Sequence, residues 1–235
     1  KFYTMCQHVY FRKYINLWEL LGIDVVYTPH KCLNEDKLGK ISLKACPLYA
    51  VNLEDKSRNK VFKHKMRENK YLYSFVGGYE NHYLTDIRLK IFKINNKHCF
   101  IKNTGTWHFN CNVYRGGRDI NGTLNEDEHH KNKTEFYNSV LLESKYVLCP
   151  SGSGPNSIRF WEALAVCSIP ILLSDNLDLP SHELWDKTII RIKECDINNM
   201  INILNNITKE EECERRENCI KIYNHFKDNY DNING

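Results

Sequence analysis

Two arginines stand where helix electrostatics disfavours them. Arg88 falls in the first turn of a helix predicted to start at Thr85, and Arg159 in the first turn of one predicted to start at Ser157. A cation at a helix N-terminus opposes the macrodipole by roughly 0.3–1 kcal/mol at an exposed site. Two such placements make sense if an anion sits between them. A diphosphate would suit, held by guanidinium forks and free backbone N–H groups together. The competing account is that each arginine reaches solvent or pairs with a carboxylate, such as Glu162 at i+3 from Arg159. Jointly, the pair favours the anion site. Glu162 shares a face with Arg159 and could accept both hydroxyls of a ribose, as acidic residues do in dinucleotide folds; a surface salt bridge is its plainer role.

A second set of groups could move protons. His8 and His30 each follow a predicted strand, and an imidazole can deprotonate a hydroxyl near neutral pH. A lone loop histidine is more often just solvated. Asp175 ends an apolar run, where it either joins a site or caps the next turn. Trp107 and His108 could stack on a sugar or base, although a partly buried aromatic is the commoner outcome. The acidic cluster Glu126, Asp127 and Glu128, with His129 and His130 behind it, sits in a polar stretch with no strand before it. It reads as a solvated charge run, so no metal site is expected. No G-x-S-x-G elbow is present, which weighs against an α/β hydrolase.

Residues 145–175, KYVLCPSGSGPNSIRFWEALAVCSIPILLSD, must position most of these groups. They read as strand (146–149), Gly/Ser/Pro/Asn loop (150–156), helix N-capped by Ser157, and a second strand (169–173) apolar on both faces. Parallel strands with a helical crossover place the loop at the carboxyl edge of the sheet, where open α/β folds bind ligands. Ser151, Gly152, Asn156 and Ser157 belong to this loop. It is neither the G-x-G-x-x-G fingerprint nor a Walker A loop. A third reading, a kinase or phosphatase, is disfavoured for that reason.

Elsewhere the periodicity predicts a strand at 2–6, a helix over 9–21 stopped by Gly22, and a strand at 24–27. An apolar stretch at 45–51 and a charged surface helix or linker at 54–70 follow. Then come a strand at 72–76, the turn Gly77-Gly78, a helix over 85–94 and a strand at 99–102. A polar loop at 115–135 leads to a helix at 136–144. After Asp175 the pattern gives a strand at 188–192 and helices at 197–207 and 209–226. Such β-α-β alternation implies an α/β fold with parallel sheets. The expected division is a small part at 1–68 and a ligand-binding part at 69–208, with the helix of 209–235 packing back on the first.

Composition narrows the partners. The chain has 235 residues and a net charge of +4 spread along its length, unlike the concentrated basic patch of a nucleic-acid binder. No stretch approaches the roughly 20 apolar residues of a membrane span, and residues 1–10 do not form a secretory signal. Ten cysteines include no C-x-x-C pair, which suggests a reducing, cytoplasmic setting. The sequons at Asn121, Asn132 and Asn206 are then chance matches.

SKYVLCPSGSGPNSIRFWEAL, followed by SIPILLSD, resembles the exostosin-like glycosyltransferases, family 47 of the sugar transferases. The match includes Lys145, Pro150, Gly152, Ser157, Arg159, Glu162, Pro170 and Asp175. Phe75-Val76-Gly77-Gly78 with Arg88 resembles the family's F-x-G strand and the basic helix after it. The resemblance covers about 71–180 and is weak before that, where the first part is short. It implies a GT-B-like architecture, two Rossmann-like domains facing a cleft, with the N-terminal one small. It implies a UDP-sugar donor, an oligosaccharide or glycoprotein acceptor, inversion at the anomeric carbon, and no required metal or other cofactor. By position, Arg88 and Arg159 would bind the diphosphate and Glu162 the ribose. Gly77 would form the F-x-G turn, and Ser151, Gly152, Asn156 and Ser157 would line the phosphate loop. The base is not fixed by the matched segment, leaving His30 or His8, with Asp175 behind them. So compact a chain is similar to the exostosin-like enzymes of large algal viruses, which implies xylose as donor sugar, fucose as acceptor and the host cytoplasm as setting. A non-catalytic nucleotide- or glycan-binding module derived from a transferase is the alternative.

Overall fold

The computed structural model describes residues 1–56, 58–59, 69–105 and 127–231. Apolar runs without polar alternation form the interior strands of a parallel sheet, because helices cover both of its faces. Here β5 (Tyr71–Gly77), β6 (Cys99–Asn103), β7 (Ser144–Pro150), β8 (Ile169–Leu173) and β9 (Ile190–Arg191) pair in the order β6-β5-β7-β8-β9. All pairings are parallel. In order of appearance this is 2-1-3-4-5, so the winding direction reverses between β5 and β7. The crevice beyond their carboxyl ends is the topological switch point, where such sheets take ligands.

A smaller sheet is built from β1 (Tyr3–Met5), β2 (Val25–Thr28), β3 (Lys37–Leu38) and β4 (Ile41–Ala45), in the order β1-β2-β4-β3. The β3–β4 hairpin turns through Gly39 and Lys40, with Gly39 at φ +60. A positive φ at the first turn residue suits the twist of a two-residue hairpin. The lysines in this short hairpin hide it from a hydrophobicity pattern, and of the apolar stretch 45–51 only Ala45 lies in a strand, at the end of β4, while Val51 begins a short helix. The expected helix of 9–21 is a 3-10 turn at Phe11–Tyr14 followed by α1 (Ile15–Leu20). Only Phe11 and Trp18 of it are buried, against Val26, Ile41 and Leu43.

The large-sheet core joins Tyr73, Phe75, Tyr146, Leu148, Phe160, Trp161 and Ile169, all within about 1 % of full burial. Helices α3 (Ile87–Phe92), α4 (Asp127–Leu142) and α5 (Ile158–Ala165) are its crossovers. Residues 127–135, expected as loop, are the first turns of α4. The expected linker of 54–70 falls largely outside the described residues, as do Trp107 and His108. A short α2 (Val51–Glu54) lies against α5, and Ala50 joins the large core. After α6 (Met200–Asn205), the long α7 (Lys209–Asp231) packs mainly on α5 and β8, and reaches the earlier part of the chain where Tyr223 and Lys227 meet Glu54.

The two sheets are stitched at one seam. Leu33 N–H donates to Asn176 O at 2.9 Å and Asp178 N–H to Lys31 O at 3.1 Å, so the segment after β2 runs along the segment after β8. Lys31, 5 % exposed, pairs with Asp178 and Asp36.

Helix α5 ends in a Schellman motif: Ser168 N–H reaches Ala163 O at 3.0 Å and Cys167 N–H reaches Leu164 O at 3.1 Å. Cys167 therefore occupies the left-handed position at φ +58, where glycine is usual. A β-branched residue is strained there more than any other. Cys167→Val should be less stable than Cys167→Gly by about 1–2 kcal/mol, as read from urea denaturation midpoints; equal midpoints would show that the turn relaxes freely.

Candidate active site

Both arginines lie at the switch point, and neither behaves as a surface residue. Arg88, near the start of α3, is 8 % exposed. Its Nε donates to Ser151 O at 2.8 Å and its Nη1 to Gly78 O at 2.9 Å, tying the ends of β7 and β5 together. Arg159, near the start of α5, is 9 % exposed; its Nη2 donates to Val76 O, while its Nε and Nη1 are buried with no partner. Among the described residues no carboxylate lies within salt-bridge distance of either. The solvent and ion-pair accounts of these cations are both displaced. Burial and then the charge of Arg159 push Arg88 down to about 10. An unserved buried donor costs about 1–3 kcal/mol, more for a charged group, and the two free Arg159 donors carry that cost in this conformation.

Two glycines follow from the same geometry. A Cβ on Gly77 would lie 2.8 Å from Arg159 Nη2, and one on Gly152 would lie 2.9 Å from Arg88 Nη2. Their absent side chains make room for guanidinium groups.

The loop itself differs from an open phosphate cradle. Ser151 N–H is taken by Leu173 O at 3.1 Å and Gly152 N–H by Gly154 O at 2.9 Å. Ser157 N–H is taken by Asn156 Oδ1 at 2.8 Å. These donors face inward because the loop is folded on itself and against residues 82–88, where His82 Nε2 meets Ser153 Oγ at 2.9 Å. Ser157 holds the N-cap position with extended backbone, but its side chain makes no capping bond. Asn156 instead braces the turn: Oδ1 also accepts the Trp161 indole N–H at 3.2 Å, and Nδ2 donates to Pro29 O at 2.9 Å across the seam. Asp86 holds the N-cap position of α3, one residue later than expected, while the Thr85 hydroxyl accepts the N–H of its first residue, Ile87, at 3.4 Å and meets Ser151 Oγ at 3.1 Å.

Glu162 is 2 % exposed. Its Oε1 accepts Asn52 N–H at 3.3 Å and its Oε2 accepts the Tyr137 O–H at 2.7 Å. Burial raises its pKa, against the pull of those bonds and of Arg159. It is neither a surface ion pair nor open to a ribose in this conformation.

Of the two histidines, His30 meets the loop. It is 5 % exposed, and its Nδ1, without a partner, lies against Gly154, where a Cβ would come within 2.5 Å. The ring hydrogen-bonds the main chain of Gln7, and burial lowers its pKa to about 4. His30 is therefore neutral at pH 7, with Nδ1 unengaged beside the loop. His8 is exposed, accepts Tyr10 N–H at 3.1 Å and packs against Tyr10 and Tyr14. Asp175 is also exposed; its Oδ1 accepts Glu194 N–H at 3.0 Å, capping the 3-10 helix Glu194–Asn199. That is a cap on a turn 19 residues later rather than on the next one, and among the described residues no hydrogen bond joins Asp175 to either histidine.

Sequence reasoning missed Glu194. Its carboxylate, 9 % exposed, accepts from Ser151 Oγ at 3.1 Å and from Thr85, and burial raises its pKa. The signal was an acidic residue just past a strand end, masked by the charged neighbours Lys193 and Asp196. Tyr137 was missed for want of any motif. Among the described residues no group of three His, Cys, Asp or Glu side chains is placed to hold a metal ion.

Parallel α/β sheets with this site define a protein whose architecture is consistent with a GT-B-like glycosyltransferase. The Exostosin GT47 domain model matches residues 44–207, and the chain belongs to that family. It is similar to a probable glucuronoxylan glucuronosyltransferase of Arabidopsis thaliana, 29 % identical over 73 residues, which are 30 % of this chain and 16 % of that protein. It is also similar to a second probable glycosyltransferase of that plant, 28 % identical over 92 residues, 38 % of this chain and 20 % of the relative. The matches thus span about a fifth or less of these relatives.

The buried His30 gives a pH signature. Between its ordinary pKa and about 4, the unfolded chain binds a proton here and the folded chain does not, so stability rises with pH across that window. The contribution is complete above pH 6.5 and is lost as the pH falls toward 4. Urea denaturation at pH 7 and pH 4.5 should show wild type losing roughly 2–3 kcal/mol more than His30→Gln; equal losses would mean His30 is not held neutral.

Proposed function

We propose that this protein is an inverting, metal-independent glycosyltransferase that moves a sugar from a UDP-sugar to a hydroxyl of a glycan acceptor. The observation that carries this reading is the pair of buried guanidinium groups at the switch point, with two Arg159 donors unserved. A diphosphate would supply the missing acceptors, and the charge developing on departing UDP would be met by fixed cations in a water-poor crevice. In this reading the two sheets belong to two Rossmann-like domains on either side of a cleft. His30, from the small sheet, meets the Gly/Ser loop of the large one and takes the proton of the acceptor hydroxyl through Nδ1. Its low proton affinity suits the unliganded state, and a bound diphosphate nearby raises it by charge. His8 and Asp175 are less favoured for that step because they point to other partners. Glu162 would serve the ribose diol once its present partners release it.

The sugar is proposed as xylose and the acceptor as a fucose-bearing glycan, by the likeness to compact viral members of the family, with the host cytoplasm as the setting. Membership in a family that includes a probable glucuronosyltransferase makes UDP-glucuronate the first competitor. The inward-facing loop donors favour one other reading, a binding module that has lost transfer.

Calorimetry with UDP, then turnover with UDP-xylose, UDP-glucose, UDP-galactose and UDP-glucuronate on fucose-bearing acceptors, separates the two; binding without transfer or hydrolysis selects the module. Arg159→Ala should weaken UDP binding tenfold or more, since a hydrogen bond to a charged group is worth about 1.5–3 kcal/mol. Unchanged affinity would remove the diphosphate role. Transfer should persist in EDTA, and complete loss restored by Mn²⁺ would contradict a metal-independent mechanism.

A further inference from the structure

Three of the buried polar atoms without partners belong to one region. Asn52 Oδ1, Asn59 Oδ1 and Asn138 Oδ1 lie where α2 and residues 58–59 meet α4 and α5. Asn138 is 0 % exposed and Asn52 4 %. Well-made interiors leave few such groups, and a cluster of them marks a contact that is only partly satisfied. Arg159 also lines, with Ser74, Tyr137 and Leu141, a narrow space between α4 and the large sheet.

The same contact occupies Glu162. Its two oxygens, each able to take a hydroxyl, are held by Asn52 N–H and Tyr137 O–H. A vicinal diol would present two O–H donors to the same carboxylate. The other end of α2 is fastened to α7: Glu54 accepts the Tyr223 O–H and pairs with Lys227 at 2.9 Å.

We propose that α2 is a removable stopper, its Asn52 N–H standing in for a ligand hydroxyl on Glu162, and that the nucleoside of the donor displaces it. This rests on the proposed nucleotide-sugar site and adds its regulation. The protein as described is then the closed form, and its apparent affinity for nucleotide is the intrinsic affinity reduced by the fraction of molecules that are open. Weakening the anchor on α7 raises that fraction. An ordinary structural helix beside the site would behave in the opposite way, since loosening it would disorder the site.

The test measures UDP affinity by calorimetry for wild type and Glu54→Ala, with amide hydrogen exchange of residues 51–55 followed with and without UDP. Glu54→Ala should bind UDP threefold or more tightly than wild type, and UDP should speed exchange at the Asn52 amide of the wild type. Equal or weaker binding by the variant, or slower exchange with UDP, overturns the stopper. If Glu54→Ala does not fold, Tyr223→Phe removes one of the two anchors and should shift affinity in the same direction; unchanged or weaker UDP binding by it would overturn the proposal equally. Failure of UDP to bind wild type and every variant would instead overturn the nucleotide site itself.

Discussion

Two positive charges are packed beside one aromatic ring, and the rest of the site accommodates that fact. The guanidinium carbons of Arg88 and Arg159 lie 5.7 and 4.5 Å from the centroid of Phe75. Like charges in a low-dielectric interior repel strongly, and a ring face offsets only part of that. The carbonyls of Val76, Gly78 and Ser151 supply the remaining fixed negative dipoles. Because these carbonyls end β5 and β7, the cations also hold the two strand ends that frame the switch point. The proposed anion site and the local architecture therefore rest on the same groups.

From that pair the surroundings can be read outward. Glycine suits positions 77 and 152, because a Cβ at either would force the neighbouring guanidinium group to shift. Glu162 and Glu194 lie nearby, yet neither neutralises an arginine directly. Each carboxylate is held by neutral donors, Tyr137 and Asn52 for one and Ser151 and Thr85 for the other. A direct ion pair would have filled the cationic site permanently. Holding the carboxylates one layer away keeps the cations available to a ligand.

The small sheet contributes through one seam. Asn156 and His30 both bear on the Gly/Ser loop, one through Pro29 O and one through the face of Gly154. The paired segments 31–33 and 176–178 fix the position of that contact. The N–H groups of Ser151, Gly152 and Ser157 are spent within the protein, so a reading based on glycine content alone anticipates a more open cradle than this conformation displays.

Much of this was written in the sequence. The unbroken apolar runs of β7 and β8 and the crossover between them announced a parallel sheet, since only strands covered on both faces lack polar alternation. Cations at two helix starts marked an electrostatic anomaly, because local electrostatics opposes them there, and both proved to be buried at the switch point. The β3–β4 hairpin, the left-handed Cys167 and the early start of α4 left weaker traces, their patterns being short or polar. Which carboxylate is buried, which histidine meets the loop, and what Asn156 and Asp175 brace could not be read from spacing. Those answers depend on contacts between segments distant in sequence, more than a hundred residues apart for Pro29 with Asn156 and Asn52 with Glu162, and only tertiary packing brings their donors and acceptors within reach. The sequence by itself determined the sheet and the place of the charges; tertiary structure decided which of those charges have partners.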